Sequence, residues 1–260
     1  MKDVFILSAM RTPTGAYGGS LSNLTAVELG IISVQAVLAK SQLPLEQLDA
    51  IVFGNVISAN LGQNPARQVA LGAGMSTGTC ATNVNKICAS GLKAIQIVMN
   101  EIALGQIGAG VAGGMESMSQ VPHYLSNARF GTGFGGKTLV DGLEKDGLVD
   151  AFSEKSMGVC ADLTAEKYGF SREDQDEYSQ GSFEKARAAN FDAELIPMTV
   201  QRNRQEIRVE KDEQIAKGNF DKMKTLRPAF TKMGTVTAGN ASSMSDGASA
   251  VVLCNRSKKE

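Results

Sequence analysis

The sequence predicts an α/β fold in which a largely parallel sheet is covered by helices on both faces. Three observations carry this expectation. Short apolar runs alternate with helical patterns over residues 1–118. The helix that follows Cys88 is apolar on nearly every side. The strand pattern then returns at Ala248–Cys254, after a long stretch of different character.

Taken in order, Val4–Ala9 reads as a strand, and Leu24–Ala39 as a helix capped by Ser22 or Asn23 and stopped before Pro44. Ala50–Val56 is a second strand. Asn64-Pro65 opens a helix through Val69, Ala70 and Leu71, with Asn64 as cap and Pro65 at the first helical position. Thr79–Val84 is a short third strand. The helix from Cys88 to about Leu104 carries Leu92, Ile95, Ile97, Val98, Met99, Ile102 and Leu104, so it is expected to be buried rather than to lie on the surface. Ile107–Gly113 gives another strand.

From Met115 to Gly234 the sequence turns glycine-rich and polar, as an insertion or lid would. One helix is expected from Met157 to Lys167, ending at Gly169, and another from Ser171 as cap to about Ala189. Leu195–Val200 and Glu206–Val209 are expected to pair as strands.

With 260 residues the chain has room for one large core or two modest ones. Its 26 basic and 27 acidic side chains nearly cancel, so no global field draws in nucleic acid or an anionic membrane. Basic residues recur between Arg202 and Lys232, which suits either a phosphorylated small ligand or a plain solvated surface. Cys80, Cys88, Cys160 and Cys254 form no Cys-x-x-Cys pair, and His123 is the single histidine, which argues against a zinc site. A reducing, cytoplasmic setting fits these thiols. No signal-like segment precedes Val4–Leu7, and no apolar run approaches the roughly 20 residues of a membrane span.

Cys88 stands where an extended run, Asn83-Val84-Asn85-Lys86-Ile87, turns into a long helix. A thiol at a helix start faces amide N–H groups and the positive end of the helix dipole, both of which favour thiolate. Ala89, Ser90 and Gly91 leave room for a substrate carbonyl. Position alone leaves a structural cysteine equally open.

Two other motifs carry less. Gly131–Thr138 spells a phosphate-binding loop, but no buried strand leads into it. Gly108-Ala109-Gly110-Val111-Ala112-Gly113 spells a dinucleotide fingerprint, but its glycines fall inside a strand, where they read as close packing. His123, following Pro122 in a loop, reads as structural.

Three stretches taken together resemble the thiolases: the Cys88 segment, Ala112-Gly113-Gly114-Met115-Glu116-Ser117-Met118-Ser119, and Gly234–Ser242. Gly54-Asn55-Val56, Gln63–Gln68 and Asp146–Phe152 extend the resemblance along essentially the whole chain. It is closest to the biosynthetic acetyl-CoA acetyltransferases, which condense two acetyl-CoA molecules into acetoacetyl-CoA and run the reverse thiolysis. The resemblance implies an N-terminal thiolase half: a mixed five-stranded sheet with helices on both faces, built from residues 1–118 and 235–260. Residues 119–234 would form a loop domain that covers coenzyme A and helps build oligomers.

It further implies that Cys88 is the nucleophile that accepts the acyl group. Met157, Tyr178, Lys222 and Ser242 fall at coenzyme A or acyl positions. In potassium-binding members, Tyr178, Ala238, Gly239, Ala241 and Ser242 would surround the cation. No tightly bound cofactor is expected, coenzyme A thioesters being substrates. The implied partner is a second copy of the chain or a complementing C-terminal half.

Two departures stand out. Ser156-Met157-Gly158 replaces the His-Met-Gly of many members, and the Gly-His-Pro, Asn-Glu-Ala-Phe and Cys-x-Gly-Gly-Gly motifs of the second half do not occur. Those motifs carry the histidine that deprotonates the nucleophile and the cysteine that handles the α-proton. A non-catalytic coenzyme-A-binding or assembly module is therefore the alternative reading.

Overall fold

The computed structural model describes residues 2–202 and 204–259. They form two compact units: residues 2–122, 191–202, 204–211 and 245–259, and residues 123–190 and 212–244.

The first unit is built on a mixed sheet. Its strands are β1 (Val4–Arg11), β2 (Gly15–Ala16), β3 (Ala50–Gly54), β4 (Cys80–Val84), β5 (Ala109–Ser117) and β10 (Ser245–Asn255). The order is β1-β10-β5-β3-β4, with the two-residue β2 also pairing to β10. β3, β4 and β5 are parallel, whereas β10 runs antiparallel to both β5 and β1. The expectation of a largely parallel sheet is thus corrected by one strand. An antiparallel neighbour needs no crossover helix packed on the sheet, and β10 inserts between β1 and β5, second in the strand order.

Helices α1 (Ala26–Ser41) and α2 (Pro65–Gly72) cover one face, and α3 (Ser90–Ala103) covers the other. The alternation of strand side chains sorts the core accordingly. Ile51, Phe53, Val111 and Val252 pack with Leu29, Val34 and Val37 of α1, while Val52, Ala112 and Leu253 pack with Ala94, Val98 and Ile102 of α3.

Two helix starts differ from the sequence expectation. α1 is capped by Thr25 rather than by Ser22 or Asn23. Thr25 and Glu28 form a capping box, whereas Ser22 and Leu24 are spent in the turns before it. α3 begins at Ser90, with Ala89 as cap, so Cys88 precedes the helix. α2 starts as expected, with the Asn64 side chain accepting from the Arg67 amide and Pro65 opening the helix.

The glycines in β5 act as packing residues. A Cβ at Gly113 would overlap the Ser249 carbonyl and lie 2.6 Å from the Phe53 ring, so the strand admits no side chain there.

α3 is less buried than expected. Ala94, Val98 and Ile102 are enclosed, but Leu92 is 74% exposed and Leu104 67% exposed, and Met99 is also open. Its outward side is apolar and uncovered by this unit.

β8 (Met198–Arg202) and β9 (Gln205–Val209) pair antiparallel as predicted. They do not belong with the inserted region, which corrects the expected bounds of 119–234. Met198, Val200 and Val209 are buried in the cluster that contains Leu21 and Leu29. Arg11 binds Glu194 at 2.6 Å, and its backbone pairs with Glu194 and Ile196.

The second unit holds β6 (His123–Tyr124), β7 (Val140–Asp141), α4 (Met157–Tyr168), α5 (Arg172–Ala188), α6 (Glu213–Lys217) and α7 (Phe220–Met223). Residues 235–244 belong here rather than with the sheet, because Asp162, Asp176 and Ser179 hold them. α4 ends at left-handed Gly169, and α5 starts from a Ser171–Asp174 capping box. Between Phe130 and Val140 the glycine-rich stretch joins neither a strand to a helix nor a buried edge, so the phosphate-loop spelling has no phosphate-loop structure.

Candidate active site

Cys88 is an exposed, free thiol on the turn between β4 and α3. This turn lies at the carboxyl ends of the parallel strands β3, β4 and β5, the end of an α/β sheet where ligands bind. The turn is unusual. Ile87 sits at φ +49°, the left-handed region, although it is β-branched. Such a conformation costs about 1–3 kcal/mol and persists only where surrounding bonds impose it.

Those bonds are present. The Ile87 amide donates to Asn85 Oδ1 at 2.9 Å. Ser90 Oγ accepts from the Lys86 amide at 2.8 Å and donates to the Ile87 carbonyl at 2.6 Å. The amides of Ala89 and Ser90 donate to the Lys86 and Ile87 carbonyls. These amides close the turn instead of pointing at the thiol, which revises the expectation that they would face it. Cys88 still stands one residue before the Ala89 cap, at the positive end of α3.

Glycines bring α3 onto the strand ends. A Cβ at Gly54 would lie 2.6 Å from the Ser90 carbonyl carbon, and one at Gly114 would lie 3.3 Å from Gly91 Cα. A side chain at Gly54 would therefore push the start of α3, and Cys88 with it, off the sheet.

Sequence reasoning missed Glu116 as an organiser of this end. Its carboxylate accepts from the Val56 amide at 2.8 Å and from Asn55 Nδ2 at 3.0 Å, with the Ile57 amide at 3.4 Å. Burial pushes its carboxyl up, and the Val56, Ile57 and Asn55 donors oppose that shift. Asn55 donates also to the Met115 carbonyl. Its buried Oδ1 has no hydrogen-bond partner among the described residues, at a cost of about 1–3 kcal/mol.

Cys254 lies fully buried within β10, and burial pushes its thiol up. It is a core side chain and not a base. His123 is exposed in β6 opposite Asp141.

The other expected site residues, Met157, Tyr178, Lys222 and Ser242, all lie in the second unit and are exposed. Their backbones are organised around one loop. Asp162, almost wholly buried, accepts from Thr231 Oγ1 and from the Thr235 and Val236 amides. Asn240 donates to Asp176 and to the Thr235 carbonyl, and accepts from the Thr237 amide. Ser179, next to Tyr178, donates to the Gly239 carbonyl at 3.0 Å.

Arg172 donates to the Met223 and Leu226 carbonyls, and a Cβ at Gly239 would lie 2.9 Å from each of those side chains. This brings the α7 segment carrying Lys222 to the loop that carries Ala238, Gly239, Ala241 and Ser242. Phe230, another residue the sequence reading did not single out, lies against Gly158 beside Met157. Its signal was the glycine in Ser156-Met157-Gly158, which a ring can cover closely. A largely apolar cavity of about 500 Å³ opens on α4 beside this loop, lined by Val159, Leu163, Phe170 and Met233 together with Asp162, Glu166, Thr231 and Thr235.

Residues 4–257 match the family model described as thiolase, N-terminal domain. The chain is 47% identical over 260 residues to the cytosolic acetyl-CoA acetyltransferase ERG10 of Gibberella zeae, with 98% of this chain and 66% of that protein covered. It is 49% identical over 264 residues to acetyl-CoA acetyltransferase 2 of Arabidopsis thaliana, covering 99% and 66%. Among solved structures, the Acat5 thiolase of Ascaris suum in complex with coenzyme A matches with a TM-score of 0.92 at 38% identity, covering 98% and 66%. The chain thus spans about two thirds of the length of these relatives. The match over residues 4–257 and the shared fold place the chain in the thiolase family, as its N-terminal domain.

Proposed function

We propose that this chain supplies the acyl-accepting half of an acetyl-CoA acetyltransferase. The observation that carries the proposal is Cys88: an exposed thiol on a strained, fully braced turn at the sheet end where α/β folds bind ligands. In the proposed step the Cys88 thiolate attacks the thioester carbonyl carbon of acetyl-CoA. The carbon–sulfur bond to coenzyme A breaks, the acetyl group stays on Cys88, and the departing coenzyme A thiolate takes up a proton. Condensation with a second acetyl-CoA needs removal of an α-proton, and the chain has no second-half cysteine or histidine motif for that work. A complementing C-terminal half, or a relative's equivalent, is the proposed partner. The uncovered apolar side of α3 supports it.

Met157, Tyr178, Lys222 and Ser242 are proposed coenzyme A or acyl contacts, supported by the loop network that gathers their segments and by the coenzyme A named for the Ascaris protein. A potassium ion fits the donor chemistry of Tyr178, Ala238, Gly239, Ala241 and Ser242, since hydroxyl and carbonyl oxygens suit a weakly charged cation. When bound it would stiffen this loop. No helix among the described residues is long and apolar enough to cross a membrane. The cytoplasm is the proposed location, supported by the free thiols and by one relative's name.

The test is mass spectrometry of the chain after exposure to acetyl-CoA. One acetyl group on the peptide containing Cys88, absent from Cys88→Ala, is expected. Coenzyme A binding by calorimetry without any acetyl transfer would favour the second reading, a coenzyme-A-binding or assembly module.

A further inference from the structure

Three adjacent strand ends carry a continuous line of hydrogen bonds that stops at Ile87, the residue before Cys88. Glu116 is the penultimate residue of β5, Asn55 follows the end of β3, and Asn85 follows the end of β4. These strands are neighbours in the order β5-β3-β4. Glu116 holds the Val56 amide from one side, at 2.8 Å. Asn85 Nδ2 donates to the carbonyl of the same residue at 3.1 Å. The other end of the Asn85 amide, Oδ1, accepts from the Ile87 amide at 2.9 Å. Ile87 is the left-handed residue that immediately precedes Cys88.

We propose that Glu116 and Asn85 are positioning residues for the nucleophile, with Glu116 acting through Val56. A carboxylate fixed in β5 holds the Val56 and Ile57 amides, and so both peptides that flank the Val56 α-carbon. The carbonyl of the second peptide sets the Asn85 side chain, and Asn85 holds Ile87 in the conformation that precedes the nucleophile. Neither residue touches substrate in this account. The inference rests on Cys88 being the reactive thiol, as proposed above.

The chemistry favours a carboxylate at position 116. It meets three donors and no acceptor, so both oxygens are used. A glutamine would place an amide N–H₂ against a donor and satisfy only part of the set. Asn85 must be an amide, because it donates at one end and accepts at the other. An aspartate there would set an oxygen against the Val56 carbonyl.

The test uses the full chain and needs neither coenzyme A nor a second half. Iodoacetamide alkylation is followed at Cys88 and at Cys80, an exposed free thiol at the opposite end of β4 that serves as internal reference. Amide hydrogen exchange is followed at Val56 and Ile87. Asn85→Ala is expected to slow Cys88 relative to Cys80 by about fivefold, the factor that one ordinary hydrogen bond represents, and to speed Ile87 exchange. Asn85→Asp keeps an acceptor for the Ile87 amide but sets an oxygen against the Val56 carbonyl, so it should recover less of either quantity than asparagine does.

Glu116→Gln should speed exchange at Val56 and, across the relay, at Ile87, with a smaller fall in the Cys88:Cys80 ratio than Glu116→Ala gives. Glu46→Gln, an exposed carboxylate elsewhere, should change none of these. If Glu116→Gln loosens Val56 while Ile87 exchange and the Cys88:Cys80 ratio stay at wild-type values, the relay ends at Val56 and the inference is overturned. Failure of Cys88 to gain an acetyl group would refute the proposed acyl transfer separately, since the alkylation ratio does not depend on it.

Discussion

α1 and α3 cover opposite faces of one sheet, and they are finished differently. α1 buries Leu29, Val34, Val37 and Leu38 against the strands and turns Glu28, Gln35 and Lys40 outward. It begins with a complete capping box. α3 buries Ala94, Val98 and Ile102, yet it turns Leu92, Met99 and Leu104 outward, and no side chain caps it. One helix closes its face of the molecule. The other has two apolar sides and only one of them covered, which is the pattern of a helix made to be sandwiched. At its start, the place of a capping residue is taken by the strained turn that presents Cys88.

The largest test of this contrast lies on the closed face. Phe53 is fully buried there, and its ring touches the positions where Gly30 and Gly113 lack side chains. Phe53→Ala should cost about 3–5 kcal/mol in urea unfolding, because neighbours held this tightly cannot collapse into the space. A cost below about 1 kcal/mol would show that the α1 face is looser than described.

The capping contrast is worth less. Thr25→Ala should lower stability by about 1 kcal/mol, read as a shift in the urea midpoint at unchanged slope. A neutral result would remove the distinction between the two helix starts.

Cysteine chemistry gives a third comparison. Cys254 faces the α1 side, and burial pushes its thiol above its usual value. Its contribution to stability is therefore full below the unfolded thiol value near 9 and is lost as pH rises through the higher folded value. Cys254→Ala should flatten the alkaline part of the stability curve. In the native chain, Cys88 should alkylate readily while Cys254 reacts only in urea.

The smallest effect on stability is expected on the open side of α3. Leu92→Glu with Leu104→Glu should change unfolding free energy by no more than about 0.5 kcal/mol, since both side chains already face water. The same pair should abolish association with a complementing half in sedimentation. A loss of stability as large as that of Thr25→Ala would mean that the α3 face is closed after all.

The longer strands were legible because each is a compact apolar run between turn residues, and α2 because Asn64-Pro65 is an unambiguous start; the two-residue β2, β6 and β7 were not expected. The dual apolar character of α3 was also legible, but its burial was not, since the covering surface is absent from the first unit. Other features were not carried by residue type or periodicity. Ile87 is held left-handed by Asn85 and Ser90, and nothing in a β-branched residue announces that conformation. Glu116 meets donors about sixty positions earlier in the chain. The β8–β9 hairpin follows its buried Met198 and Val200 into the first core, although its sequence neighbours lie in the second unit. The contacts of Glu116 and the allegiance of the hairpin are long-range facts written in short-range residues.

β10 has a consequence for how the molecule comes to be folded. It lies inside the sheet, between β1 and β5, yet it follows β5 by more than a hundred residues. During synthesis β1 must wait without a strand partner, and β5 with one unpaired edge, until residues 245–255 emerge. The gap between them is the widest loop closure in the first unit. Exposed edges at that stage invite pairing with other chains. Newly made molecules should thus be most vulnerable to aggregation just before β10 leaves the ribosome.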